Sequence, residues 1–216
     1  MARPKGAKNP DYDDKRGKLV NDLADYALSS DLTRASLRQF AQAASVAEPT
    51  LRHYFGDRTG VVRAILEEIG RRAAPFIEIA AAPADTYAAS LQGYVDLSLA
   101  GLKHGGFARA HAFGLIEGVA DKELGAAYLT SLLEPSLAAI ERRLAPFVDP
   151  GGDDPERTQM AALCLLSPML IAAIHQRQLG GAETRKIDVP ALFQKLAEVI
   201  SGGFPEPAGE PRVREL

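Results

Sequence analysis

The chain has 216 residues, 46% hydrophobic and 25% charged, so it is neither disordered as a whole, nor collagenous, nor a coiled coil. Its one cysteine, Cys164, excludes an intrachain disulfide framework and fits a reducing, cytoplasmic setting. The net charge of -3 hides an asymmetry: residues 1–74 carry 13 Lys and Arg against 10 Asp and Glu, and residues 75–216 carry 12 against 18, so a mildly basic head precedes an acidic body, and the head points to a polyanion partner.

Residues 1–14 are polar, hold Pro4 and Pro10, and lack the apolar stretch of a signal peptide. They are expected to form a flexible arm. Helical periodicity then begins and strand alternation never appears, so the fold class is all-α. Leu19, Val20, Leu23, Ala24, Ala27 and Leu28 make one stripe. Leu37, Phe40, Ala41 and Ala44 make a second, Leu51 and Phe55 mark a third, and Val61, Val62, Ile65, Leu66 and Ile69 make a fourth. Four helices therefore fill residues 15–73. Ser36 followed by Gln39 is a capping-box pattern, and Asp57, Asp121, Asp154 and Asp188 each stand where a helix start needs a side-chain oxygen.

A break is expected over residues 74–84, where Pro75 and Pro83 fall. Beyond it the pattern predicts helices at 85–103, 106–119, 122–147, 154–179 and 188–201 within a helical domain spanning 74–203. Pro135 and Pro168 should kink or split the two that contain them. Residues 148–154 read as a loop and 204–216 as a frayed tail. The most apolar run, Met160–Ile174, is interrupted by Ser167 and Pro168; it is too short to span a bilayer and reads as a buried helix, so no membrane partner is expected.

Residues 36–56 carry the functional signal. Two short helices flank the tight turn Ser45-Val46-Ala47. Ala41 is small where the helices cross most closely, and the turn begins four residues later at Ser45. Phe40, Ala44, Val46, Leu51 and Tyr54 can pin the second helix on the first. One face of that helix is left free to enter a major groove, which is the requirement of a helix-turn-helix.

Residues 16–70 resemble the DNA-binding domain of the TetR (tetracycline-repressor) family, most strongly over Ala35–Arg58, where Pro49-Thr50-Leu51-Arg52-His53-Tyr54-Phe55-Gly56-Asp57-Arg58 is similar to the family's recognition-helix signature. Two positions depart from the pattern. Ser45 stands where the family usually has a left-handed glycine, at a cost on the order of 1 kcal/mol. Ala47 stands where a capping serine is common, a loss of ~1 kcal/mol that Pro49 offsets in part by fixing φ.

The resemblance implies an N-terminal helix-turn-helix domain and a helical effector-binding and dimerisation domain. It also implies double-stranded, near-palindromic operator DNA, a small-molecule effector and a second copy of the chain as partners. Arg52 and His53 are central to the reading helix, and Arg52 can meet guanine O6 and N7 in a bidentate manner. Glu48, Pro49 and Thr50 sit at its start, and Tyr54 packs its ring while offering its hydroxyl to a phosphate. Ser36, Arg38 and Arg58 resemble phosphate-contacting positions. Arg3, Lys5 and Lys8 can lie in a minor groove.

In the helical body, Phe107, His111, Phe113, Glu117, Tyr128 and His175 are the candidate effector pocket: aromatic and polar groups among small residues. Two stripes, Leu163, Leu166, Leu170 and Ile174 with Leu192, Leu196 and Val199, are the candidate dimer face. Paired in two copies they would make a four-helix interface. No Cys–His cluster, phosphate loop or nucleophile elbow is present, so no metal, cofactor or catalysis is expected. The alternatives are a regulator of the same fold that lacks a ligand or activates, and an all-helical enzyme working through His111, Glu117 or His175.

Overall fold

A computed structural model describes residues 10–29, 33–103 and 106–204. All regular elements among the described residues are helical, and they group into two compact units. The first comprises Met1–Ala73 and Arg109–Leu132, and the second Ala74–Ala108 and Leu133–Leu216.

The first unit holds α1 (Pro10–Ser29), α2 (Leu37–Ala43), α3 (Glu48–Phe55) and most of α4 (Arg58–Ala81). To these it adds residues 109–132, from α6 (Gly106–Ala120), α7 (Lys122–Tyr128) and a π-helical turn (Leu129–Leu133). It is thus larger than residues 15–73. α1 also begins earlier than the apolar stripe shows. Pro10 is tolerated in a first turn, and Asp11 and Asp13 there favour the positive end of the helix dipole, so residues 10–14 are helix rather than arm. The core of this unit is the four predicted stripes: Leu23, Ala24, Leu51, Val61, Val62, Ile65 and Leu66 are completely buried.

α4 does not stop at residue 73. It runs through Pro75 to Ala81. Pro75 and Arg71 are both exposed, where a carbonyl that loses its N–H partner can turn to water, and the helix tolerates the ring. At the far end, the buried Arg143 guanidinium donates to the carbonyls of Ile79 (3.1 Å), Ala80 (2.6 Å) and Ser90 (3.1 Å). Through Ile79 and Ala80 it satisfies last-turn acceptors of α4 that have no partner within the helix, and through Ser90 it ties that end to the next helix.

The second unit packs α5 (Tyr87–Lys103), α8 (Glu134–Val148), α9 (Pro155–Arg177), the short α10 (Gly181–Thr184) and α11 (Val189–Gly203) around one apolar cluster that includes Val95, Ile140, Leu144, Leu165 and Phe193. Asp154 and Asp188 cap α9 and α11 through the backbone N–H groups of Arg157 and Ala191, as their positions predict. Pro135 does split the predicted 122–147 helix: α8 starts at Glu134, directly after the π-helical turn. α9, by contrast, continues through Pro168. α9 has 23 residues, more than its apolar run, and an 18-residue stretch of it, with a mean hydropathy of 1.5, is long and apolar enough to cross a membrane. Yet 56% of that stretch is buried inside the structure, as in the core helix of a globular unit.

Within the first unit, α6 and α7 are drawn together around a polar pair. The His111 Nδ1 lies 2.8 Å from the Tyr128 hydroxyl, and both residues are buried. Gly114 makes this possible, because a Cβ there would run into the Tyr128 ring. Burial pushes the His111 pKa down to about 4. The folded ring therefore stays neutral while the unfolded chain takes up a proton below about pH 6.5. Between those two values the unfolded state binds more protons, so stability must fall as pH drops from about 6.5 to about 4, by up to about 3 kcal/mol for this one group. Urea titrations across that window should give a clearly shallower pH dependence for His111→Gln than for the wild type. Equal slopes would show that the histidine does not carry this linkage.

Candidate nucleic-acid interface

The local chemistry of the sequence builds a short scaffold for α3. Ser36 N-caps α2 as the pattern predicts: its hydroxyl accepts from the Gln39 N–H at 3.3 Å, and the Gln39 side chain accepts from the Ser36 N–H at 2.8 Å. The chain then turns sharply. The Val46 N–H donates to the Ala41 carbonyl at 2.9 Å, and Ser45 adopts φ +54°, the left-handed conformation expected there, at a non-glycine residue. α3 starts at Glu48 with Pro49 in its first turn and no side-chain cap from Ala47. Leu51, completely buried, and Phe40, 1% exposed, hold α3 to α2. After Gly56, Asp57 accepts from the Gly60 N–H at 2.8 Å and starts α4. Position 60 must be glycine, because a Cβ there would collide with the Phe55 carbonyl.

With Leu51 turned inward, Pro49, Arg52 and His53 are exposed on α3, and Glu48, Thr50 and Tyr54 are half-buried. Ser36 and Arg38 are exposed at the start of α2. One neighbour of this surface is not legible in the sequence. Tyr12, from the segment assigned to the arm, packs edge-on to His53 (ring centroids 5.6 Å apart) and against Tyr54 (4.8 Å). Arg16 lies over the Phe55 ring at 5.2 Å. α1 therefore braces α3. Arg3, Lys5 and Lys8 lie outside the described residues.

Arg58 is not free for a phosphate. Its Nη2 and Nη1 donate to Glu117 Oε1 (2.6 Å) and Oε2 (3.0 Å), and its Nε donates to the Ala35 carbonyl (2.7 Å). The Arg34 Nε donates to the same carboxylate at 3.3 Å. Glu117 is completely buried. It is a structural anchor in the first unit rather than a pocket-lining acid.

The six pocket residues are likewise not brought together in one unit. His111, Phe113, Glu117 and Tyr128 are buried in the first, while Phe107 and His175 belong to the second. Nor do His111 and Glu117 engage each other as an acid/base pair would: the histidine bonds Tyr128 and the carboxylate bonds the two arginines. An open cleft of about 980 Å³ lies instead within the second unit, at the ends of α5 and α9 and the segment leading into α11. Leu99, Leu102, Ile187 and Val189 give it apolar walls, and Lys103, Arg177 and Lys186 supply cations. Gln176 shapes it: its amide donates to the Arg185 carbonyl (2.9 Å) and its oxygen accepts from the Ile187 N–H (3.1 Å).

The predicted dimer stripe on α9 also needs correction. Leu166, Leu170 and Ile174 are buried in the second unit itself, and the outward face is Met160, Leu163 and Ile171, 56%, 49% and 60% exposed. α9 is apolar on nearly every side, so spacing alone does not tell the inner stripe from the outer one. On α11, Val199 is exposed and Leu192 and Leu196 are half-buried.

No protein-family model matches the sequence, and no curated protein matches it either. Solved structures do. A protein from Mesorhizobium loti assigned to the TetR-family transcriptional regulators aligns over 91% of this chain and 100% of its own, with a TM-score of 0.65 and 13% identity. The fatty acid degradation regulator FadR from Bacillus halodurans aligns over 92% and 98%, with a TM-score of 0.56 and 20% identity. GusR from Salmonella enterica covers the same shares, with a TM-score of 0.56 and 15% identity. The chain thus has the all-helical fold of these regulators along nearly its whole length.

Proposed function

We propose that this protein is a cytoplasmic, sequence-specific DNA-binding transcriptional regulator, a homodimeric repressor modulated by a small molecule. The observation that carries the reading is α3: a short helix pinned by Leu51 behind a left-handed turn at Ser45, with Arg52 and His53 exposed on the opposite side. A helix held in this way fits a major groove. Arg52 reads a base edge, Glu48, Pro49 and Thr50 line the leading end of the helix, and Ser36, Arg38 and the Tyr54 hydroxyl meet phosphates. His53 contributes with one edge covered by Tyr12. Full-length likeness to structures that carry the names of regulators supports the same reading. The outward apolar face of α9 with Val199 of α11 is the surface a second copy would cover, and two-fold symmetry would then require two half-sites in the DNA.

For the effector, the chemistry of the second-unit cleft favours an amphipathic anion: a carboxylate held by Lys103, Arg177 and Lys186, with an apolar body against Leu102 and Ile187.

Two measurements test these assignments. Replacing Arg52 with Ala should cost about 1–3 kcal/mol of operator affinity and relax selection at one base pair per half-site; unchanged affinity and selection would remove Arg52 from base reading. Calorimetric titration with dodecanoate should show binding that weakens by about tenfold or more (1.4 kcal/mol) in an R177A/K186A variant, whereas dodecanol should bind both proteins poorly. Equal binding of dodecanoate by both would place the ligand elsewhere.

A further inference from the structure

A completely buried charge in the first unit lies behind the reading surface. Glu117 of α6 is completely buried, while its partners Arg58 and Arg34 are 25% and 47% exposed. A carboxylate taken wholly out of water is tolerated only when cations and hydrogen bonds surround it. Here it receives a bidentate pair from Arg58 and a third bond from Arg34. The same Arg58 donates to the Ala35 carbonyl, one residue before the Ser36 capping box, and its guanidinium lies 6.0 Å from the Phe40 ring centroid. One carboxylate therefore fixes the approach to α2 and the first residue of α4, the two segments that flank the helix-turn-helix. Beside it, Thr59 bonds Asp121 at 3.5 Å and Arg63 pairs with Glu123, so this side of α4 faces acids throughout.

We infer that Glu117 is a positioning and specificity residue for DNA recognition, although it touches no DNA. It holds the start of α2 in register for Ser36 and Arg38, and it sequesters two arginines that would otherwise add sequence-independent attraction for the phosphate backbone. In chemical terms the carboxylate occupies Arg58 as a phosphate would, through a bidentate pair. The consequence is a regulator whose phosphate contacts are few and set by α2 and α3, so that base reading weighs more in its affinity.

The inference rests on the DNA-binding reading above, and the test separates the two. Binding of the full-length protein to its selected operator and to a random-sequence duplex is measured across a range of salt concentrations, for the wild type, Glu117→Gln and Arg34→Gln, with helicity and melting recorded for each. Glu117→Gln should bind the operator more weakly and the random duplex more tightly, reducing the ratio by about tenfold or more. Its salt dependence should steepen by about 0.9 in log–log slope for each arginine released onto a phosphate. A purely structural loss would weaken both duplexes without steepening the slope, and a folded Glu117→Gln with the wild-type slope overturns the inference. Arg34→Gln leaves the Arg58–Glu117 pair intact and should keep the wild-type slope, because the sequestered arginine meets no phosphate. A slope flattened by about 0.9 there overturns the inference even if Glu117→Gln fails to fold. If the wild type binds neither duplex at any salt concentration, the DNA-binding reading itself fails and this inference falls with it.

Discussion

The structure depends on a length constraint. α2 has seven residues and α3 has eight, and helices of fewer than about 12–15 residues are marginal in water by themselves. They exist because Phe40, Ala41 and Leu51 are buried where the two helices cross and because the stripes of α1 and α4 close over them. That requirement forces the tight turn, and the turn forces Ser45 into a left-handed conformation that costs a non-glycine residue on the order of 1 kcal/mol. It also leaves Pro49, Arg52 and His53 exposed on α3, with only Tyr12 of α1 against the His53 ring. Arg52 and His53 stay exposed because the buried Leu51 carries the attachment.

Much of this was legible because short-range chemistry dominates it. The Ser36–Gln39 capping box, the Asp121, Asp154 and Asp188 caps and the stripes of the first four helices depend on residues three or four apart, and they formed as the sequence predicts. What was not legible depends on partners distant in the chain. Tyr12 looks like part of a polar arm until its ring meets His53 and Tyr54. Arg58 reads as a surface phosphate contact until Glu117, 59 residues away, occupies it. Glu117 and His111 share a helix and invite a pocket reading, yet each is turned to a different internal partner. On α9, apolar residues on several sides leave the inner stripe undetermined by spacing, and burial reverses the assignment of Leu166, Leu170 and Ile174. Pro75 predicts a helix end, but its exposure removes the penalty that would have enforced one.

Both units spend buried polar groups on fixing helix ends and helix pairs rather than on open chemistry. Arg143 closes the end of α4, His111 with Tyr128 joins α6 to α7, and Glu117 ties α6 to the starts of α2 and α4. Each is costly to leave half-satisfied, so each favours one arrangement of its helices over near alternatives. Under the proposed function, that definition has a use. A recognition helix displaced by a fraction of an ångström loses the bidentate geometry by which an arginine tells guanine from other bases.

The central claim, that α3 and its symmetry mate read a two-fold DNA site, is tested most directly by selecting duplexes from a random pool with the purified full-length protein at several salt concentrations. A near-palindrome should be enriched, its half-sites about one helical turn, or a multiple of it, apart, with affinity that falls steeply as salt rises. Recovery of no motif at any salt concentration, or of a motif that an Arg52→Ala protein enriches equally well, would contradict it.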